Sequence, residues 1–222
     1  MPCRFIYLHG FASSPESFKA QYFAKKFEHL GYPLSIPDLN QDDFFNLTLT
    51  RQIHQVTALL NPESVPTILI GSSFGGLTAA WLAEQCVGIE RLVLLAPAFD
   101  FTTHWLPKLG EPALRQWKKT GEMDVYHYGY QRSARLSYAF IQDIQQYDEA
   151  TISRSLPTLI LHGIHDEVIP IEASRHYRQS RPWVSLQELD SDHGLADVTE
   201  AMWRSLIEFC NRPPELGVPK VL

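Results

Sequence analysis

Cysteine is scarce in this chain of 222 residues. Cys3, Cys86 and Cys210 form no Cys-x-x-Cys pair and are too scattered for a disulfide framework. This spacing favours a reducing, cytoplasmic compartment. No signal-peptide pattern precedes the first apolar run, and the longest apolar stretch, residues 92–99, is much too short to span a bilayer. We therefore expect a soluble intracellular protein without a membrane partner.

Runs of positive charge are also missing. The formal net charge is −6, and the isoelectric point is about 5.8. Nucleic-acid-binding domains usually carry a basic patch or stripe, whereas adjacent lysines occur here only as the isolated pairs 25–26 and 118–119. Nucleic acid is therefore excluded as the expected partner, and the sequence leaves the oligomeric state open.

The chain does contain a regular alternation of short apolar runs and helical patterns. The runs predict strands at residues 5–8, 34–36, 67–70, 92–95, 158–161 and 184–189. Three of them are apolar almost throughout, which is typical of strands covered on both faces. Apolar residues with helical spacing lie between the runs, for example at Phe18, Tyr22, Phe23, Phe27 and Leu30. This order predicts an α/β fold: a mainly parallel, doubly wound sheet of about six strands, forming a single domain over residues 1–222.

Residues 100–155 interrupt this alternation between the fourth and fifth predicted strands. A plain crossover needs far fewer residues, and this segment is rich in aromatic side chains. Leu136, Ala139, Phe140 and Ile144 share a helical face within it. We interpret the segment as an insertion that covers the strand ends as a partial lid; the alternative is a crossover helix with a long structural loop. We also expect the chain after Cys210 to be loosely ordered.

The clearest local motif is Gly71-Ser72-Ser73-Phe74-Gly75. It follows a predicted strand and opens a predicted helix, which is the context that a G-x-S-x-G nucleophile elbow requires. Glycines on both sides make room for a serine on a sharp, strained turn. Only Ser73 has a glycine two residues before it and another two residues after it, so Ser73 is the predicted nucleophile.

An acid and a base follow the next strands in the order that this fold uses, namely serine, acid and then histidine. Asp166 comes after the fifth predicted strand, and His193 comes after the sixth. We predict that His193 takes the proton of Ser73 while Asp166 orients the imidazole. Asp100, which follows the fourth predicted strand, is the alternative acid, and two further carboxylates lie near the base at Asp190 and Asp192.

Oxyanion donors are expected from two main-chain amides. The first is the N–H of Phe74, the residue after the nucleophile, and the second is the N–H of Phe11 in the loop after the first strand, with Ala12 as the less favoured choice. We predict a substrate-binding surface made of the loop residues and insertion aromatics, and its named members are His9, Gly10, Ala12, Trp105 and Tyr128.

Two other interpretations compete with a catalytic site formed by Ser73, His193 and Asp166. The sequence His162-Gly-Ile-His165-Asp166 has the residue types of a metal site, but His-Glu-x-x-His is absent and a catalytic zinc needs three converging ligands. We therefore expect no metal and no organic cofactor. The second rival is a catalytically idle ligand-binding protein on a hydrolase scaffold, because fold alone does not fix function.

Two further motifs accompany the elbow: the segment 7–17, Tyr-Leu-His-Gly-Phe-Ala-Ser-Ser-Pro-Glu-Ser, and the pair Asp192-His193. Together, these motifs resemble those of the α/β-hydrolase superfamily. Within it, the chain is similar to the small bacterial esterases of the YqiA type. The resemblance covers most of the chain and matches residues 100–155 weakly. It implies a serine carboxylesterase or thioesterase that acts on small acyl substrates through an acyl-enzyme.

Overall fold

The computed structural model describes residues 3–60 and 65–211. The central sheet has six strands: β1 (Arg4–Leu8), β2 (Leu34–Ser35), β3 (Thr67–Ser72), β4 (Ile89–Leu95), β7 (Thr158–Gly163) and β8 (Val184–Leu189). A separate antiparallel hairpin consists of β5 (Glu122–His127) and β6 (Arg132–Ser137). The helices are α1 (Phe18–His29), α2 (Leu49–Leu59), α3 (Phe74–Gln85), α4 (Phe101–Leu109), α5 (Glu111–Thr120), α6 (Ala139–Ile144), α7 (Ile171–Gln179) and α8 (Thr199–Asn211).

All neighbouring strands of the central sheet are parallel, and their order is β2-β1-β3-β4-β7-β8. The predicted mainly parallel, six-stranded α/β fold is therefore confirmed. From β1 the chain passes outward to β2 on one side, and from β3 it builds outward on the other side. The switch point lies between β1 and β3, and ligands of such sheets bind beyond the carboxyl ends of the strands at this point.

Alternating side chains of the central strands enter two cores, one on each face of the sheet. In β4, Val93 and Leu95 join the core that contains residues of α1 and α8, while Leu92 and Leu94 join the core formed with α2, α3 and the insertion. Strands buried on both faces read as continuous apolar runs, which is why these strands are recognisable in the sequence. Each fully buried aliphatic side chain contributes about 2 kcal/mol.

Some helical expectations were wrong in detail. Leu136 lies in strand β6 rather than on the face of helix α6, because the chain forms a hairpin before that helix begins. Phe18 and Leu30 stand at the two ends of α1 and are 61% and 45% exposed. Phe23 and Phe27 in the middle of α1 are fully buried as predicted. The expectation for the end of the chain concerns residues 212–222, which lie outside the described residues.

The segment 100–155 folds into α4, α5, the β5–β6 hairpin and α6. Buried Trp117 joins helix α5 to the hairpin by donating its indole N–H to the carbonyl of Leu136 at 3.1 Å. The insertion also contacts α2, because Tyr147 and Thr50 share a hydroxyl hydrogen bond of 2.6 Å. Over the described ranges, none of the helices combines the length and apolarity needed to cross a bilayer.

Candidate active site

The turn between β3 and α3 holds Ser73 in a strained conformation. Ser73 has φ 51° and ψ −118°, which a residue with a Cβ adopts only where the surroundings impose it. A Cβ on Gly75 would lie 2.2 Å from the carbonyl oxygen of Leu8, and a Cβ on Gly71 would lie 2.5 Å from that of Gly75. Only glycine fits at either position, so the motif is required by the close approach of β1, β3 and α3.

A row of hydrogen bonds connects Ser73, His193 and Asp166. His193 Nε2 lies 3.1 Å from Ser73 Oγ, and His193 Nδ1 lies 2.6 Å from Asp166 Oδ2. An ionised carboxylate only accepts hydrogen bonds, so the Nδ1 proton of His193 is donated to Asp166. Nε2 is then free to accept the Ser73 proton. The three residues that the sequence singled out are thus brought together from three separate loops.

Asp166 is buried and accepts hydrogen bonds on both carboxylate oxygens. Oδ1 accepts the main-chain N–H groups of Val168 and Ile169, each at 2.8 Å. Oδ2 lies 3.1 Å from His162 Nε2 in addition to its bond with His193. Burial acts to raise the pKa of Asp166, but the hydrogen bonds from His162 and His193 outweigh it and hold the pKa well below its usual range. The carboxylate is therefore ionised at neutral pH.

His162 supports Asp166, a role that was not predicted. It lies at the end of β7, fully buried. Its Nε2 is also 3.0 Å from the carbonyl of Ile169, and its Nδ1 is 2.7 Å from Ser174 Oγ. His165, the other histidine of the supposed metal cluster, instead contacts the exposed carboxylate of Asp190 at 2.9 Å. Within residues 3–60 and 65–211, no group of three or more potential ligands is arranged for a metal ion.

The alternative acids lie elsewhere. Asp192 Oδ1 accepts the N–H groups of Gly194 and Leu195 and so shapes the histidine loop. Asp100 begins α4 in a left-handed conformation, and its carboxylate lies 3.7 Å from His176. Asp100 lines a different cavity of about 450 Å³, together with residues of α6 and α7.

That second cavity contains Glu149, whose Oε1 accepts the N–H of Asp100 at 2.9 Å. Burial and then the nearby Asp100 carboxylate raise the pKa of Glu149 to about 8. The folded protein therefore binds this proton more tightly than the unfolded chain, and the stability it contributes is fully present below about pH 4.5 and is lost as pH rises toward about 8.

We expect Glu149→Gln to remove this pH dependence, because the amide keeps an acceptor oxygen and cannot ionise. As pH rises from about 5 to about 8, the free energy of unfolding of the variant should increase relative to that of the wild type by at least about 1 kcal/mol. One pKa unit corresponds to about 1.4 kcal/mol. Urea unfolding at both pH values measures the difference. Glu16→Gln, at an exposed glutamate outside the cavity, is the control. A constant difference between Glu149→Gln and the wild type at the two pH values would contradict the assignment.

The loop after β1 lies directly against Ser73. A Cβ on Gly10 would be 3.3 Å from Ser73 Cβ and 3.9 Å from Ser73 Oγ. Ala12 has a left-handed φ of 51°, and its carbonyl accepts the N–H of Tyr128 at 2.8 Å and, more weakly, that of Gly129 at 3.4 Å. The tip of the hairpin therefore holds the loop in which the second oxyanion donor is predicted.

A cavity of about 520 Å³ opens next to Ser73 and His193. The loop after β1 and the insertion line much of it. Of the predicted substrate-binding residues, it is lined by Gly10, Ala12, Trp105 and Tyr128, and Phe11 also lines it. The apolar hairpin residues Met123 and Val125 and the α1 residue Lys19 also line the cavity and were not predicted from the sequence.

The side chains of His9, a predicted substrate-binding residue, and of Phe74 lie outside the cavity. His9 is buried under the loop, where its Nε2 accepts the N–H of Leu39 at 2.9 Å and its Nδ1–H donates to the carbonyl of Gly10 at 2.9 Å. It supports the loop rather than the cavity wall. The Phe74 ring is fully buried and packs edge-on against Phe11, so only the main chain of Phe74 is available to the reaction.

Comparison with known proteins gives the same architecture. Est1E from Butyrivibrio proteoclasticus, solved with ferulic acid bound, superposes with a TM-score of 0.77 at 22% identity, covering 95% of this chain and 91% of Est1E. The α/β-hydrolase domain-containing protein 10 from mouse gives 0.74 at 22% identity, with 92% and 89% covered. At these identities the similarity establishes the fold.

Sequence similarity to known proteins extends over part of the chain in one case and over nearly all of it in another. The non-heme chloroperoxidase CPO-A1 of Kitasatospora aureofaciens is 36% identical over 78 residues, which are 33% of this chain and only 26% of that protein. The model of the uncharacterised protein family UPF0227 matches residues 4–211, nearly the whole chain. This protein therefore belongs to the UPF0227 family and has an α/β-hydrolase fold.

Proposed function

We propose that this protein is a serine hydrolase that cleaves carboxylic esters or thioesters of small molecules through an acyl-enzyme on Ser73. The observation that carries the proposal is the hydrogen-bonded row Ser73–His193–Asp166 at the edge of a cavity. A serine hydroxyl is a weak nucleophile until an adjacent base takes its proton. Here His193 is within hydrogen-bond distance of that proton and is itself oriented by an ionised carboxylate.

In the acylation step, Ser73 Oγ attacks the acyl carbon while its proton passes to His193 Nε2. The carbonyl oxygen becomes an oxyanion, which the N–H groups of Phe11 and Phe74 stabilise at the N-terminus of α3. Asp166 stabilises the imidazolium that forms. The tetrahedral intermediate then collapses: the bond to the leaving oxygen or sulfur breaks, and His193 returns the proton to the departing alcohol or thiol.

Deacylation repeats the sequence with water. His193 takes a proton from a water molecule, the hydroxide attacks the acyl carbon, and the carboxylic acid leaves as Ser73 recovers its proton. Every proton is carried by His193, so the chain's own residues account for the reaction and no cofactor takes part in any step.

The cavity favours a small acyl substrate. Its volume of about 520 Å³ is in the lower half of the range for small-molecule sites, and aromatic and aliphatic side chains provide most of its exposed lining. The rings of Phe11 and Trp105 contact each other at 5.4 Å between centroids and form one wall. An acyl chain or an aromatic leaving group would bury apolar surface there.

A fluorophosphonate probe tests this proposal against the rival of an idle binding protein. Such probes phosphonylate an activated serine, so we expect one covalent adduct, which peptide mass spectrometry locates on Ser73. Labelling should be prevented in His193→Ala, because the base is required for activation. An unlabelled protein that still binds small esters in the cavity would contradict the proposal and identify a binding protein.

A further inference from the structure

Lys19 brings a positive charge into the proposed catalytic cavity. It lies in the first turn of α1, is partly buried, and lines the same cavity as Ser73 and His193. Most of the remaining lining is apolar or uncharged. Among the described residues that line the cavity, the only other aspartate, glutamate, lysine or arginine is Asp124, which is exposed on β5 of the hairpin.

The Lys19 ammonium lacks a carboxylate partner among the described residues. Its hydrogen bond is a long one, 3.3 Å, to the main-chain carbonyl of His193. Lys26 of the same helix, by contrast, forms an ion pair of 2.7 Å with Glu200. A buried charge without an opposite charge is costly to maintain. An anion that enters the cavity would therefore provide an opposite charge next to Lys19.

The surroundings of Lys19 keep it charged at neutral pH. Burial lowers its pKa to about 8, and the carboxylates of Asp166 and Asp192 oppose this shift. Neither carboxylate forms an ion pair with Lys19: Asp166 is bound by His193 and His162, and Oδ1 of Asp192 accepts the N–H groups of its own loop.

A second feature of this wall also favours negative charge. Ser17 caps α1, yet its hydroxyl makes no capping hydrogen bond, and it lines the cavity beside Lys19. The first N–H groups of a helix have no partner within the helix and carry a partial positive charge. No acidic residue occupies the first turn of α1. The cavity wall therefore combines an ammonium, a hydroxyl and a helix N-terminus.

We propose that the natural substrate is an anionic ester or thioester, whose carboxylate pairs with Lys19 while its acyl carbon lies at Ser73. This inference rests on the proposed hydrolase function and specifies its substrate class. Because both residues line one cavity of about 520 Å³, the carboxylate and the scissile bond belong to the same small molecule. Lys19 would determine specificity, and Ser73 and His193 would perform the chemistry.

Two matched pairs of esters test the proposal. Mono-4-nitrophenyl adipate and its neutral amide, 4-nitrophenyl adipamate, place the charge on the acyl side, while 4-acetoxybenzoate and 4-acetoxybenzamide place it on the alcohol side. We expect the wild type to prefer the anionic member of one pair by about tenfold in kcat/KM, which is the size of effect that one charge-assisted hydrogen bond provides.

Variants assign this preference to the charge. Lys19→Met keeps an unbranched apolar chain and should abolish the preference mainly through KM for the anionic ester, whereas Lys19→Arg should retain part of it. Lys25→Met removes an exposed lysine of the same helix outside the cavity, and its preference should equal that of the wild type. Urea unfolding of each variant excludes a loss of folding as the cause.

Three results would overturn the inference. One is the absence of an anionic preference in both pairs while neutral esters are still hydrolysed in a Ser73-dependent way. Another is an equal loss for charged and neutral esters in Lys19→Met, which would limit Lys19 to holding the His193 loop. Failure to hydrolyse any ester, combined with no fluorophosphonate labelling at Ser73, would remove the proposed hydrolase function and this inference with it.

Discussion

Ser73→Ala should lower kcat/KM for 4-nitrophenyl butyrate by about five powers of ten relative to the wild type. The alanine keeps the elbow but has no oxygen to form the acyl-enzyme, and His193 has no proton to accept. Hydrolysis above background would then depend on water alone, with the oxyanion donors and the binding cavity still in place. Initial rates at several ester concentrations measure the loss, and the elbow's strained turn makes an accompanying unfolding measurement necessary.

The adjacent serine provides the matched control. Ser72 is the last residue of β3, is buried, and shares a hydrogen bond with the Tyr7 hydroxyl. Ser72→Ala removes the same oxygen one residue earlier, and its effect on kcat/KM should be smaller by at least about a thousandfold. Comparable losses in both variants would mean that Ser73 has no special part in the chemistry, and equal rates for Ser73→Ala and the wild type would exclude it as the nucleophile.

Asp166→Asn should lower kcat by about ten-thousandfold while the fold is retained. The N–H groups of Val168 and Ile169 require an oxygen, so the new amide oxygen stays with them and the NH₂ group turns toward His193. His193 Nδ1 must then accept rather than donate. The ring proton moves to Nε2, where it faces Ser73 and prevents His193 from acting as the base.

Asp100→Asn distinguishes the two candidate acids. Its carboxylate lies in the second cavity beside His176, so this substitution should change kcat by less than about threefold, compared with the large loss in a triad acid. The same 4-nitrophenyl ester assay serves for both variants. If Asp166→Asn kept its activity and Asp100→Asn lost it, the assignment of Asp166 as the residue that orients His193 would be wrong.

The central sheet could be predicted because its strands have a strong local signature. β3, β4 and β7 are covered on both faces, so each contains a continuous run of apolar residues. Even the short edge strand β2 was located from residues 34–36, of which Leu34–Ser35 pair with β1. Helix α7 was missed because its apolar face is small, with Ile171, Ala173 and Tyr177 standing among charged and polar residues.

The hairpin was missed for a different reason. Met123 and Val125 alternate with exposed residues, and Leu136 lies opposite Met123 on the partner strand. A two-residue period was therefore present in the sequence. It was obscured because Leu136 also falls at helical spacing from Phe140, and short apolar patterns do not distinguish a strand from a helix.

The triad residues could be selected because their order along the chain follows the order of strands, and each stands directly after one. Lys19 could not be selected as a site residue, because nothing in the local sequence distinguishes it from Lys25 or Lys26. Its position depends on how α1 packs beside the loop that carries His193. His162 is similar. Its contact with Asp166 depends on the turn after β7, and in the sequence the same spacing also resembles a metal-binding pattern.

The insertion contacts the loops on both sides of Ser73. The hairpin tip donates to the carbonyl of Ala12, and Lys108 of α4 donates to the main-chain carbonyls of Glu167 and Val168, next to the amides that hold Asp166. Opening the cavity by moving the insertion would therefore loosen the oxyanion loop and the acid loop at once. Any movement of the insertion and the arrangement of the catalytic loops would then be thermodynamically linked. A ligand that contacts the insertion within the cavity would, through the same hydrogen bonds, stabilise the oxyanion loop and the acid loop together.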